Sequence, residues 1–218
     1  MGFYSMVAFF QKGGLFMYPI LLVFAVGMTI SVERLLHLNR VWNANQNIWG
    51  LLYPVIVKGE FEKAREMVNR DESSMAQMLG MGLARQGAVQ GRKDIAIVME
   101  ESMMEIIPQL EKRTPYVALL SNIATLLGLL GTIMGLIEAF TAVANANPAE
   151  KADLLSASIS VAMNTTAFGL MSAIPLLLFH AKLTSTTGHI VDNMEMASVK
   201  ALNSITNFTK RQFDGSQS

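Results

Sequence analysis

The chain has 218 residues, of which 51% are hydrophobic and only 16% are charged, with 17 basic and 17 acidic side chains. Ordinary soluble domains carry roughly 25% charged residues, so this composition indicates a membrane protein with a modest water-exposed part. A formal net charge of zero gives no sign of a nucleic-acid partner, and the absence of cysteine excludes disulfides, thiolate metal sites and cysteine catalysis.

The N-terminal part predicts an interfacial segment followed by a first membrane span. Residues 1–14 start with aromatic and Met side chains and end at Gly13-Gly14, a pattern typical of a short helix lying in the membrane interface. Leu15 to Val32 then gives 18 uncharged residues, about 27 Å of helix, which is just enough to cross a bilayer. A cleaved signal peptide fits less well, because the stretch lacks a basic n-region and an A-x-A site.

Residues 33–114 predict a helical cytoplasmic domain. They hold 11 of the 17 Lys and Arg residues. Phe61 to Arg70 and Ile95 to Lys112 have the apolar spacing of amphipathic helices. Gly59, the stretch Arg70 to Ser74, and Gly87 to Gly91 predict turns.

Two further stretches, 115–137 and 154–179, predict the second and third spans. Neither contains Asp, Glu, Lys, Arg or His. A short loop, 138–153, joins them, and residues 180–218 predict a C-terminal helix and tail. We therefore expect an all-α integral membrane protein with three transmembrane helices, long enough to extend into the helical cytoplasmic domain.

The distribution of basic residues predicts the orientation. The 33–114 domain and the part after Phe179 together hold 15 of the 17 Lys and Arg residues. The positive-inside rule then places both in the cytoplasm, with the N-terminus in the periplasm. The C-terminal part is the better evidence, because loops longer than about 60 residues weigh less in that rule.

Small and hydroxyl residues recur along one face of each later span. In the second span the steps of three and four join Ser121, Thr125, Gly128, Thr132, Gly135 and Ala139. In the third they join Ser158, Ala162, Thr165, Gly169 and Ser172, with Thr166 beside them. Such stripes allow close packing of helices in lipid, and they can also form a polar surface against a partner helix or a hydrated path.

We assign the two roles as follows. The candidates for helix packing are Gly128, Gly131, Gly135, Gly169 and Ser172. The candidates for an ion path are Ser121, Thr125, Thr132, Thr165 and Thr166. Pro175, inside the third span, predicts either a hinge or a static kink, because proline removes one helical hydrogen bond.

A hydroxyl group cannot hold a proton near neutral pH, and neither later span carries an ionisable side chain. Ionisable groups are the usual mark of an ion path inside a membrane. If ions cross here, the titratable group must therefore come from another chain, so the sequence predicts a partner.

These segments also resemble a known family. Gly128 to Phe140 resembles the second-span motif of the MotA/TolQ/ExbB proton channel family, a G-L-x-G-T-x-x-G-x-x-x-x-F pattern. Ile159 to Pro175 resembles its third-span motif, with the core T-A-x-G-L-x-x-A-I-P. The three spans and the large cytoplasmic loop are similar as well, and the likeness is strongest to the three-span ExbB-like and TolQ-like subunits.

The resemblance implies a function and a set of partners. Such subunits form a ring of five in the bacterial inner membrane, with the second and third spans around a central lumen. Single-span proteins similar to ExbD or TolR sit in the lumen and bring a membrane Asp that carries protons, and a TonB-like protein can receive the work. The resemblance places the lumen threonines at Thr132 and Thr166, whereas the spacing favours Thr165 over Thr166, so both stay candidates.

One position departs from the family pattern. ExbB and TolQ have a Glu five residues before the threonine that matches Thr166, and here that residue is Val161. This departure argues against a proton route through a carboxylate of the ring itself. Glu138, near the outer end of the second span, is the nearest remaining carboxylate, and we interpret it as a solvated interface residue.

Three alternatives compete with a proton-driven motor. The same stripes could assemble a non-conducting oligomeric scaffold, and hydroxyl and carbonyl oxygens could serve a sodium-driven, stator-like unit. An enzyme is the weakest alternative, because His37, His180 and His189 lack metal-ligand spacing and no nucleophile is paired with a base. We expect no cofactor and no metal.

Overall fold

The computed structural model describes residues 13–86 and 92–215, with side chains for all of these except 145 and 209–215. Within this part, the chain forms six α-helices and no β-strand. They are α1 (Met17–Lys58), α2 (Phe61–Asn69), α3 (Ser74–Arg85), α4 (Arg92–Glu111), α5 (Thr114–Asn145) and α6 (Lys151–Gly215). The predicted N-terminal interfacial helix falls on residues 1–12 and the predicted turn at Gly87 to Gly91 on residues 87–91, both outside the described part.

The predicted all-α class with three long apolar helices is confirmed. Among the described residues, three helical stretches are long and apolar enough to cross a membrane, and their apolar parts lie in α1, α5 and α6. Each helix is longer than its predicted span. The 42 residues of α1 make about 63 Å of helix, roughly twice the thickness of the hydrocarbon core, so α1 continues past Arg34 where the apolar run stops.

The chain divides into two compact units. We call Met1–Arg34 with Arg113–Leu183 the spanning unit, and Leu35–Lys112 with Thr184–Ser218 the polar unit. Helices α1 and α6 contribute residues to both.

The described part of the spanning unit contains the first half of α1, all of α5 and the first half of α6. α1 starts after a turn at Gly14, whose φ of 74° is a left-handed conformation that a side chain would strain. Arg113, the N-cap residue of α5, has a φ of 68° and forms an ion pair with Glu33 on α1 at 3.3 Å. Leu-rich outward faces and small inward residues are what a helix bundle in lipid requires.

The polar unit is built on amphipathic helices, as the sequence predicts. α2 turns Phe61, Ala64 and Val68 inward, and the buried residues of α4 recur at steps of three and four from Ile95 to Leu110. Arg65 on α2 donates from Nε to the Leu83 carbonyl at 3.0 Å, which joins α2 to the end of α3.

Specific caps set the helix ends in the polar unit. Ser73 is the N-cap of α3, where its hydroxyl accepts a hydrogen bond from Ala76 N at 3.2 Å. The Asn45 side chain on α1 accepts another from Met75 N at 3.0 Å. Gly59, with a φ of 80°, ends α1 as predicted, and a methyl group there would collide with the ring of Phe208 near the end of α6.

α6 is a single helix of 65 residues. Its buried residues recur at helical steps over most of that length. They are Ala162, Thr165, Gly169, Ser172, Ala173, Leu176, Leu183, Thr187, Ile190, Met194, Ala197, Ala201 and Ile205. One continuous stripe of α6 therefore faces the interior in both units.

Candidate functional site: the interface between α5 and α6

Glycines bring the backbones of α5 and α6 into direct contact. A methyl group on Gly169 would lie 2.8 Å from the Ala124 carbonyl oxygen and 3.0 Å from Gly128 Cα. A methyl group on Gly128 would lie 3.2 Å from Gly169 Cα. Only glycine at both positions allows this separation, because any Cβ would meet backbone atoms that cannot turn aside.

The other three packing candidates also lie inside the spanning unit. A methyl group on Gly135 would lie 2.9 Å from Ala162 Cβ, and one on Gly131 would collide with the Thr165 side chain. Ser172 is buried, with 2% of its surface exposed. All five packing candidates therefore lie on the inward faces of α5 and α6.

Two threonines meet across this interface. The hydroxyls of Thr132 on α5 and Thr166 on α6 are hydrogen-bonded to each other. Thr166 Oγ1 also lies 2.9 Å from the Gly128 carbonyl oxygen, and Thr132 Oγ1 lies 3.2 Å from the same atom. Both side chains are half-buried, so the pair lies at the edge of the contact rather than in its centre.

Thr165 lies on a different face of α6 from Thr166. It is 2% exposed, and its hydroxyl donates to the Gly13 carbonyl at 2.5 Å, at the turn that precedes α1. Consecutive residues on a helix differ by about 100° in direction, so Thr165 and Thr166 cannot face the same surface. The structure brings Thr166, and not Thr165, to Thr132.

The two remaining ion-path candidates, Ser121 and Thr125, differ in burial and in hydrogen-bond partner. Ser121 is 1% exposed and donates to the Ala173 carbonyl of α6 at 2.8 Å. Thr125, one turn further along α5, is exposed and donates to the Ser121 carbonyl of its own helix at 3.2 Å. Within the isolated chain, Thr125, Thr132 and Thr166 retain exposed surface, whereas Ser121 and Thr165 join helices.

Val161, the position that departs from the family pattern, lies against the start of α1. A methyl group on Gly14 would lie 3.2 Å from Val161 Cγ1. An apolar side chain suits a position beside this turn, because a carboxylate there would need polar partners of its own. Glu138 is exposed.

The histidines do not converge on a metal site. In the part of the chain that the structure describes, no three His, Asp or Glu side chains gather as metal ligands would. His180 Nδ1 on α6 lies 3.3 Å from the Thr114 carbonyl at the first residue of α5.

Sequence reasoning missed the role of glycines in the first span. Gly27 is the only glycine between Leu15 and Val32, and a methyl group on it would lie 2.7 Å from Leu176 Cδ2 on α6. A single glycine inside an apolar helix costs about 1 kcal/mol relative to alanine, so its presence there was a usable signal of close packing.

A family model and three relatives match this chain. The model of the MotA/TolQ/ExbB proton channel family matches residues 70–196. A biopolymer transport protein of Methanothermobacter thermautotrophicus, described as an ExbB homolog, is 23% identical over 89% of this chain and 68% of its own length. The Tol-Pal system protein TolQ of Haemophilus influenzae is 33% identical over 39% of this chain and 37% of its own length.

An ExbB-like biopolymer transport protein of Synechocystis is 26% identical over 84% of this chain and 72% of its own length. The family match includes all of α5 together with the paired threonines.

Proposed function

Because the chain belongs to the MotA/TolQ/ExbB proton channel family, we propose that it is an inner-membrane ring subunit of a proton-driven energy-transducing motor. The observation that carries this proposal is the Thr132–Thr166 pair at the edge of the glycine-packed contact of α5 and α6. The pair offers polar oxygen atoms within two spans that are mostly apolar.

The proton acceptor comes from a partner. α5 and α6 have no carboxylate between Pro115 and Ile137 or between Leu154 and Phe179, so nothing in these stretches can bind and release a proton. A single-span protein similar to ExbD or TolR supplies a membrane Asp to this surface. A TonB-like protein then receives the motion that proton transfer drives.

The threonines act by solvating that carboxylate. Each hydroxyl donates one proton and accepts at its lone pairs, so the pair can turn between its own mutual bond and a bond to an approaching Asp. The Gly128 carbonyl lies within reach of both hydroxyls, so a hydroxyl that is not donating to the Asp can donate its hydrogen bond there. Thr125, exposed two turns away, extends the same polar surface along α5.

The test is proton flux through the complex of this chain and its single-span partner, reconstituted in liposomes with a pH-sensitive dye inside. We expect Thr132→Val and Thr166→Val each to lower the flux roughly tenfold, since a hydrogen bond to a charged group contributes about 1.5–3 kcal/mol. Thr29→Val is the matched control, because the Thr29 hydroxyl bonds only to the Ala25 carbonyl of its own helix and is exposed. Wild-type flux in both pair variants would refute the assignment.

The same liposomes test two alternative functions. A non-conducting scaffold is favoured by Ser121 and Thr165, whose hydroxyls already join helices inside the chain, and it predicts no flux above that of empty liposomes. A sodium-driven unit would use the same hydroxyl and carbonyl oxygens as ligands, and it predicts sodium entry, followed with a sodium-sensitive dye, without a change in internal pH.

A further inference from the structure

Pro175 breaks the hydrogen bonding of α6 on its outward face. Proline has no N–H, so the carbonyl of Met171, four residues earlier, loses its helical donor. Met171 is 64% exposed and Pro175 is half-exposed, so both lie away from the interior of the spanning unit. The missing bond therefore weakens α6 on the side that no other described helix supports.

The inward face of α6 is fastened at the same level. Ser121 on α5 donates to the Ala173 carbonyl at 2.8 Å, two residues before the proline, and both residues are at least 97% buried. Leu176, the residue after the proline, is completely buried and fills the space that Gly27 leaves on α1. A hydrogen bond to α5 and a close contact with α1 thus hold α6 on either side of Pro175.

We propose that Ser121 is a positioning residue that fixes the pivot about which α6 bends at Pro175. With the inward face held, α6 can open only on the Met171–Pro175 face, and the bend has one direction. The Ala173 carbonyl lies seven residues, about two turns, after Thr166. The bond from Ser121 therefore keeps Thr166 beside Thr132 while the part of α6 beyond Pro175 changes its angle.

This inference rests on the proposed function for its purpose, since a pivot near the threonine pair lets proton transfer be coupled to movement of α6. It reverses the role that the sequence suggested for Ser121. The hydroxyl acts on the helix geometry and does not touch the ion.

The test measures the distance across the bend with spin labels, which the absence of cysteine in the chain makes practical. Ser160 and Leu178, both exposed, are replaced by labelled cysteines on α6. Their Cα atoms are 18 residues, or five full turns and about 27 Å, apart on the same face as Met171, so opening of the outward face lengthens their separation. Labelled chains are diluted with unlabelled ones so that only distances within one chain are read.

We expect Ser121→Ala to broaden the distance distribution towards longer values, with the open population rising roughly fivefold when one neutral hydrogen bond is lost. Ser121→Thr, which keeps a hydroxyl, should restore the narrow distribution. In a Pro175→Ala background, where the Met171 carbonyl regains its donor, Ser121→Ala should have no effect. Thr29→Ala removes a hydroxyl that bonds within its own helix and should leave the distribution unchanged.

Two results would overturn the proposal: an unchanged distribution in Ser121→Ala, or a broadening that persists in full with Pro175→Ala, which would indicate general loosening of the bundle. If Ser121→Ala does not assemble, Ser121→Gly provides a second hydroxyl-free variant, and loss of assembly in both would mean that Ser121 serves packing alone. None of these readings needs ion flow, so they are independent of the flux measurement. A normal pivot with no proton flux would refute only the proposed function.

Discussion

At the scale of single residues, neighbouring hydroxyls have different partners. Thr165 bonds to the carbonyl before α1, while Thr166 bonds to Thr132 and to Gly128. A shift of one position along α6 changes the role from joining helices to forming a polar surface. Variants at these two positions should therefore fail in different ways.

We expect Thr165→Val to lower the thermal stability of the complex and Thr166→Val to lower proton flux. Valine at position 165 leaves the buried Gly13 carbonyl without its donor, which costs about 1–3 kcal/mol. The measurement is the unfolding midpoint in detergent, followed by intrinsic fluorescence, beside the flux assay. Thr165→Ser keeps the hydroxyl and serves as the matched control. If the two valine variants had the same profile in both assays, the separation of roles would be wrong.

This pair also shows how far the sequence alone could go. The spacing of α5 includes Thr132 in a regular stripe of small and hydroxyl residues, and the structure places Thr132 against α6. On α6 the same reasoning favoured Thr165 over Thr166. The steps of three and four run through Thr165, and Thr166 lies one residue beside that stripe. Only the position of the Gly13-Gly14 turn decides which of the two is covered, and that turn is far away in the sequence.

At the scale of helices, glycine acts in two opposite ways within α6. A Cβ placed on Gly169 would lie 3.0 Å or less from two backbone atoms of α5. Among the described residues outside its own turn of α6, none has an atom within 4 Å of a Cβ placed on Gly188. The same substitution should therefore have opposite signs at the two positions.

Gly169→Ala should reduce the amount of assembled complex, and Gly188→Ala should leave it unchanged or raise it. The first pushes a methyl group into the Ala124 carbonyl, and overpacking of this kind costs about 1–3 kcal/mol. The second gains up to about 1 kcal/mol of helix propensity. Size-exclusion chromatography of fluorescently tagged complexes gives the comparison. Equal yields of both variants would contradict the close contact of α5 and α6.

The lengths of the helices show a limit of hydropathy. Predicted spans stop where charged residues begin, at Glu33 for the first span, but α1 continues to Lys58. Hydropathy reports which solvent a segment prefers, whereas the helix of α1 continues through Gly50 and Pro54 until the left-handed Gly59. The true end of α1 was visible as the turn at Gly59, which the sequence did indicate.

At the scale of the whole molecule, the charges of the spanning unit differ between its two ends. Glu138 near the end of α5, Glu150 in the connection, and Lys151 and Asp153 at the start of α6 lie at one end. The opposite end has Arg34, Arg113 and Lys182 with Glu33. The positive-inside rule associates the second end with the cytoplasm.

A single cysteine can test this orientation. We expect Asn147→Cys, in the connection between α5 and α6, to react with a membrane-impermeant maleimide added to cells with a permeable outer membrane. Met196→Cys, on the cytoplasmic side of the proposed arrangement, should react only after the inner membrane is broken. Both positions are exposed in the chain. The reverse pattern would invert the proposed topology.

The oligomeric state is the second measurement at this scale. We expect native mass spectrometry of the complex, purified from cells that also express the neighbouring reading frames, to give about five copies of this chain with fewer copies of a single-span protein. That protein should carry a membrane Asp. A homo-oligomer without a partner would leave the threonine pair without a proton acceptor and would favour the scaffold.

The unbroken inward stripe of α6 limits how the gene can change length. Each residue turns a helix by about 100°, so inserting or deleting one residue between Ala173 and Ile205 would rotate every later buried side chain out of its place. An insertion of seven residues, close to two full turns, would nearly restore their direction, although it would also lengthen the helix by about 10 Å. The connection between α5 and α6 carries no such constraint. Length variation should therefore be tolerated around Asn147 and be lethal to function within α6.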